Sequence, residues 1–155
     1  METRCTRNQS IDGGLRTDQI WKYLERHQGF RGCFPIDRIP HVKSFPSTMI
    51  VNTANSSSSG EHWIGLYLDR DLCLYFDSFG LPILEMELQK YLSRYYVRVF
   101  YSRIAIQHLT SVSCGLFCIA FVKNVSSISS YHDFVNQFNV NYLKDNDCIV
   151  LNFIL

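Results

Sequence analysis

This 155-residue chain predicts an α+β fold, a mixed central β-sheet flanked by helices. Three observations carry that expectation. Helix-period segments and β-branched, aromatic segments follow one another in the order helix, strands, helix, strand, helices. Two strand-like runs, 62–68 (HWIGLYL) and 72–77 (LCLYFD), are separated only by Asp69-Arg70-Asp71, which predicts an antiparallel hairpin. Residues 114–123 (CGLFCIAFVK) are almost wholly apolar and predict a buried helix.

Taken in order, residues 1–16 read as a loose leader to a single domain spanning 1–155. Thr17 can cap a helix over residues 17–28, with Ile20, Trp21 and Leu24 on one face, ended by Gly29 and Gly32. Residues 30–46 carry Pro35, Pro40 and Pro46 and predict an irregular loop. Residues 48–53 (TMIVNT) predict a short strand, followed by a polar loop, Ser56-Ser57-Ser58-Ser59-Gly60. After the hairpin, Ser78–Gly80 turns the chain. Pro82 suits the first turn of a helix over 82–95, with Leu84, Leu88, Tyr91, Leu92 and Tyr95 inward. Residues 97–101 predict a strand, 104–113 a loop, 131–142 a second late helix and 148–155 an apolar tail.

Composition narrows the function classes. Apolar residues are 46% of the chain and aromatics 14%, which excludes a disordered tail or coiled coil as the main architecture. Fifteen basic against 14 acidic side chains leave a net charge of +1, so no broad basic field is available to nucleic acid; Lys90, Arg94, Arg98 and Arg103 form only a local patch. Residues 1–19 lack the apolar core of a secretory signal, and no run of 18 apolar residues would span a membrane. The expected setting is intracellular, not secreted. The six cysteines are then expected to be reduced thiols rather than a disulfide frame. No CxxC pair is present, and neither a metal nor another cofactor is expected.

One cysteine is placed for chemistry. Cys114 opens the apolar helix, where unpaired backbone N–H groups and the positive end of the macrodipole favour a thiolate. A cysteine in an apolar helix ordinarily only packs, so the reading needs a base and an orienting acid. His62 stands at the start of a strand beside Trp63. A two-residue hairpin loop would pair Ile64 with Asp77 and make His62 and Asp77 diagonal neighbours on one face. A four-residue loop would pair them directly, and a three-residue loop would separate them. Asp77 also suits a turn, Asp-Ser-Phe-Gly. Gln107, in the loop before Cys114, offers an amide donor to a developing oxyanion. Gly115 would let a substrate backbone approach closely.

Together these segments resemble the adenovirus-type cysteine proteases (adenain) and their relatives in Maverick/Polinton elements and other DNA viruses, which share a fold with the SUMO-specific proteases. The resemblance runs over residues 17–125. It rests on Ile50-Val51-Asn52-Thr53-Ala54 leading to His62-Trp63, on Leu74-Tyr75-Phe76-Asp77-Ser78-Phe79-Gly80, and on Gln107 followed by Cys114-Gly115-Leu116-Phe117-Cys118. It implies His62 as general base, Asp77 as its orienter, Cys114 as nucleophile, Gln107 as oxyanion donor and Trp63 as a cleft wall. It further implies an endopeptidase cutting after small, glycine-type residues, maturing viral or transposon precursors such as capsid proteins in the host nucleus or virion, as a monomer. Deconjugation of SUMO-like or ubiquitin-like proteins is the alternative activity, and a catalytically inactive binding module the alternative class. An activating peptide or DNA belongs to that family. Here residues 95–106 contain no cysteine for a disulfide-linked peptide, and the charge gives DNA little to hold.

Overall fold

The computed structural model describes residues 14–58 and 60–155. Residues 1–13, which hold most of the expected leader and Cys5, lie outside the described residues, as does Ser59 of the serine loop. Leu15 is not part of a loose leader, because it is buried in the core. Helix α1 (Thr17–Leu24) follows, shorter than expected. Its Ile20 and Leu24 are buried while Trp21 stays largely exposed.

Five strands form one sheet in the order of the sequence: β1 (Phe30–Pro35), β2 (Ser47–Asn52), β3 (Trp63–Asp69), β4 (Leu72–Phe76) and β5 (Arg98–Tyr101). β2, β3 and β4 are antiparallel, while β1 and β5 add in parallel at the two edges, so the sheet is mixed. The fold class is as the sequence predicts. Strand β1 replaces the irregular loop expected for the start of 30–46. An edge strand needs only one of its hydrogen-bonding sides, which accommodates Pro35. Helix α2 (Met86–Tyr95) makes the crossover from β4 to β5; Pro82 lies ahead of it rather than in its first turn, and Leu84 is exposed.

The central strands are apolar on both faces because both faces are covered. On one side Met49, Val51, Ile64, Leu66, Leu68, Cys73 and Tyr75 meet Leu88, Leu92 and Tyr96 from α2 and its end. On the other, Ile50, Tyr67, Leu74 and Phe76 meet helices α3 (Cys114–Asn124) and α4 (Ile128–Val135). Nine consecutive residues of α3, Cys114 to Val122, are buried, as its composition predicts. Helix α4 begins earlier than expected because Ser127 caps it, accepting the N–H of Ser130 at 3.0 Å. The C-terminal residues are no loose tail. They coil through short turns, including α5 (Asn146–Ile149), and bury Val150 and Ile154 against the α3 cluster. Among the described residues no helix is long and apolar enough to cross a membrane.

The seat of α3 on the sheet depends on Gly65. A Cβ there would lie 2.7 Å from the ring of Phe121, which is itself stacked on Phe76 with centroids 4.8 Å apart. Gly65→Ala is therefore expected to lower stability by about 1–3 kcal/mol through overpacking. Urea denaturation checks it, and an unchanged midpoint would show that Phe121 moves aside freely.

Candidate active site

The site grows from the free end of the β3–β4 hairpin. Pairing of Asp69 with Leu72 leaves a two-residue turn, Arg70-Asp71, with Arg70 at φ 47°. Gly65 then opposes Phe76, so one step further Ile64 falls level with Asp77, and His62, two residues before Ile64, is the diagonal neighbour of Asp77 on the same face. His62 Nε2 lies 2.9 Å from Asp77 Oδ1. That oxygen also accepts the backbone N–H of Phe79 at 2.8 Å, so the carboxylate is fixed by its own turn. Gly80 closes the turn at φ 67°, its N–H donating to the Asp77 carbonyl. The ring of Phe79 stacks on that of His62, centroids 4.9 Å apart.

On the other flank, Asn52 Oδ1 accepts the backbone N–H groups of Ala54 and Glu61. Thr53 N–H donates to the His62 carbonyl at 2.9 Å. The serine loop is thus pinned at both ends, and His62 enters β3 from a fixed direction.

Cys114 is the first residue of α3, and no side chain caps that end of the helix. Asp77 engages Nε2 of His62, which leaves Nδ1 for the thiol. Burial of His62 opposes its charged form, but hydrogen bonds to Asp77 and Cys114 outweigh it, and its pKa is pushed up to about 9. A carboxylate, an imidazole and a thiol are therefore joined in one interacting set, the arrangement that activates a sulfur nucleophile.

Gln107 is buried and enters the same neighbourhood by its contacts. Ser78 Oγ donates to its Oε1 at 2.5 Å, and its Nε2 donates to the carbonyl and hydroxyl of Ser111 at 2.9 and 3.2 Å. Asn146 holds the adjacent backbone, its Nδ2 donating to the Ile106 carbonyl at 2.7 Å. Trp63 is buried, its indole N–H donating to the Leu15 carbonyl at 2.8 Å. The space beside Gly115 is not open: a Cβ there would lie 3.0 Å from Leu15 and 3.4 Å from Trp63.

Sequence reasoning singled out His62, Trp63, Asp77, Gln107, Cys114 and Gly115. It missed Leu15, Asn52, Ser78 and Phe79, which hold those residues. Ser78 and Phe79 carried a signal as members of the Asp-Ser-Phe-Gly turn, and Asn52 as part of the segment leading to His62; Leu15 carried none.

The other cysteines lie outside that set. Cys73 and Cys118 are buried free thiols whose pKa values are raised by burial, and burial pushes that of Cys33 up to about 12. Cys148 is disulfide-bonded, so the expectation of six reduced thiols fails there. Among the described residues no group of three or more His, Cys, Asp or Glu side chains is placed to hold a metal ion.

Because the His62 pKa is raised from 6.5 to about 9, its stabilising contribution is complete below about pH 6.5 and disappears as pH rises through about 9. Wild-type protein is expected to lose up to about 3 kcal/mol of stability across that window, and His62→Gln to lose markedly less. Urea midpoints at both pH values measure the difference, and parallel losses in the two proteins would refute the coupling.

The chain is similar to several known proteins. Residues 38–146 match the family model of the adenovirus endoprotease. The chain is similar to the protease of Frog adenovirus 1 (strain ATCC VR-896), with 30% identity covering 72% of this chain and 62% of that protein. It is similar also to the protease of Fowl adenovirus A serotype 1 (strain CELO / Phelps), with 32% identity covering 60% and 51%. The chain thus spans less than two thirds of the length of the curated relatives it matches. A crystal structure of the selenomethionine ASFV protease aligns with a TM-score of 0.41 and 21% identity, over 64% of this chain and 42% of that one.

Proposed function

This chain belongs to the adenovirus endoprotease family, and from that premise we propose that it is a cysteine endopeptidase acting through Cys114, His62, Asp77 and Gln107. The observation that carries the reading is His62 bonded to Asp77 at 2.9 Å and electrostatically coupled to Cys114, with Cys114 at the uncapped start of a buried helix.

Asp77 orients the imidazole and stabilises its charged form. The thiolate sulfur of Cys114 attacks the scissile carbonyl carbon, and the carbonyl π electrons move to oxygen. An Nε2 proton of Gln107 and the backbone N–H of Cys114 donate to that oxyanion. Collapse expels the amine, which takes its proton from His62, and leaves a thioester on Cys114. His62 then removes a proton from water, hydroxide attacks the thioester, and the acid product leaves with Cys114 restored.

The substrate is a polypeptide cut after a small residue of glycine type. Both named relatives are adenovirus proteases, which supports viral precursor proteins as substrates; the nucleus or virion as the setting and a monomer as the active unit are part of the proposal.

The test is cleavage of a peptide panel with Gly at or beside the scissile bond, alongside SUMO and ubiquitin fusions. Cys114→Ala is expected to abolish turnover, and Asp77→Asn to keep the fold while lowering kcat by about 10²-fold or more. Iodoacetamide is expected to label Cys114 well before Cys73 and Cys118. Turnover that survives Cys114→Ala would overturn the reading. Cleavage confined to the fusions would make the protein a deconjugase, and absence of any thiol-dependent cleavage would make it a binding module.

A further inference from the structure

Ser78 follows Asp77 directly and is wholly buried. It grips Gln107 at two points, one through the backbone and one through the side chain. Its carbonyl accepts the backbone N–H of Gln107 at 3.0 Å and that of Ile106 at 2.9 Å. Its hydroxyl donates to Gln107 Oε1 at 2.5 Å.

A primary amide is nearly symmetric in shape but not in chemistry: one end donates and the other only accepts. Oxyanion stabilisation needs the donating end. With Oε1 committed to Ser78, Nε2 faces Ser111 and the approach to α3. The flipped amide would set Oε1 against the Ser111 carbonyl, oxygen to oxygen, and leave the Ser78 proton without its acceptor. We propose that Ser78 is a positioning residue, whose hydroxyl holds Gln107 with its donating end toward the oxyanion site. The inference rests on the oxyanion role of Gln107 given above.

Ser111 completes the device. Of the two bonds it takes from Nε2, the one to its hydroxyl is the longer, 3.2 against 2.9 Å. That hydroxyl already donates to Asp147 Oδ1 at 2.8 Å, so it keeps a partner when the Nε2 proton turns to substrate. Gln107 can therefore release one proton while its other proton and its Oε1 stay anchored. A single turn thus serves both halves of the chemistry, Asp77 aligning the base and Ser78 the oxyanion donor.

Two measurements test this. In steady-state kinetics on the best cleaved peptide, Ser78→Ala is expected to lower kcat about tenfold with KM little changed. In a Gln107→Ala background it should change kcat no further, because the hydroxyl acts only through that amide. In ¹⁵N-labelled protein, the Gln107 side-chain amide is assigned by its loss in Gln107→Ala. It should give two distinct, slowly exchanging protons in wild type and broadened, faster-exchanging ones in Ser78→Ala. Should the alanine variant not fold, Ser78→Cys keeps the shape with a weaker donor and is expected to fall between the two. An equal kcat loss in both backgrounds, or an unchanged amide spectrum, would overturn the proposal. Gln107→Ala with unchanged kcat would remove the oxyanion reading itself. The amide spectrum needs no turnover and separates that failure from the other.

Discussion

The β3–β4 ladder is closed at one end by the turn Arg70-Asp71 and at the other by the bond from His62 to Asp77. Because side chains alternate across a strand, the length of the turn decides whether those two residues share a face. The rest of the site is arranged around that pair. Asp77 sits at the head of the turn that also carries Phe79 onto the imidazole and Ser78 onto Gln107. Asn52 fixes the loop that delivers His62 from the other side.

The nucleophile comes from a different kind of constraint. Helix α3 is buried along most of its length, so its position is set by packing against β3 and the C-terminal turns rather than by local hydrogen bonds. Gly65 lets Phe121 sit close on the sheet. That closeness fixes the height at which Cys114, seven residues before Phe121 on the same helix, meets the hairpin end. Leu15 wedges against Gly115 and holds Trp63 through its carbonyl, which ties the segment before α1 to both halves.

Much of this was legible in the sequence, and the reasons differ by element. The hairpin was legible because a three-residue spacer between apolar runs leaves few registers. Helix α3 was legible because only a buried helix uses CGLFCIAFVK. Strand β1 was not: Gly32 and Pro35 speak for a loop, and only pairing with β2 overrides them. The end of α4 and the packing of the last residues were missed because burial against α3 settles both, and no local pattern reports it. Cys114, His62, Asp77 and Gln107 could be nominated from residue type, position and resemblance. Ser78 could not, because its bond spans 29 residues and a serine in a turn has a sufficient local explanation.

The two loops that flank His62 and Asp77 differ in how they accommodate changes in length. At Arg70-Asp71, inserting or deleting one residue would reverse the facing of one strand against the other unless a bulge absorbed it, whereas a change of two would not. The serine loop before His62 carries no such arithmetic, because it is held by side chains, Asn52 at its ends and Asp37 at Ser56, and not by a strand ladder. Among homologous chains, length variation should therefore occur in single steps in the serine stretch beyond Ser56 and, at the hairpin tip, in steps of two.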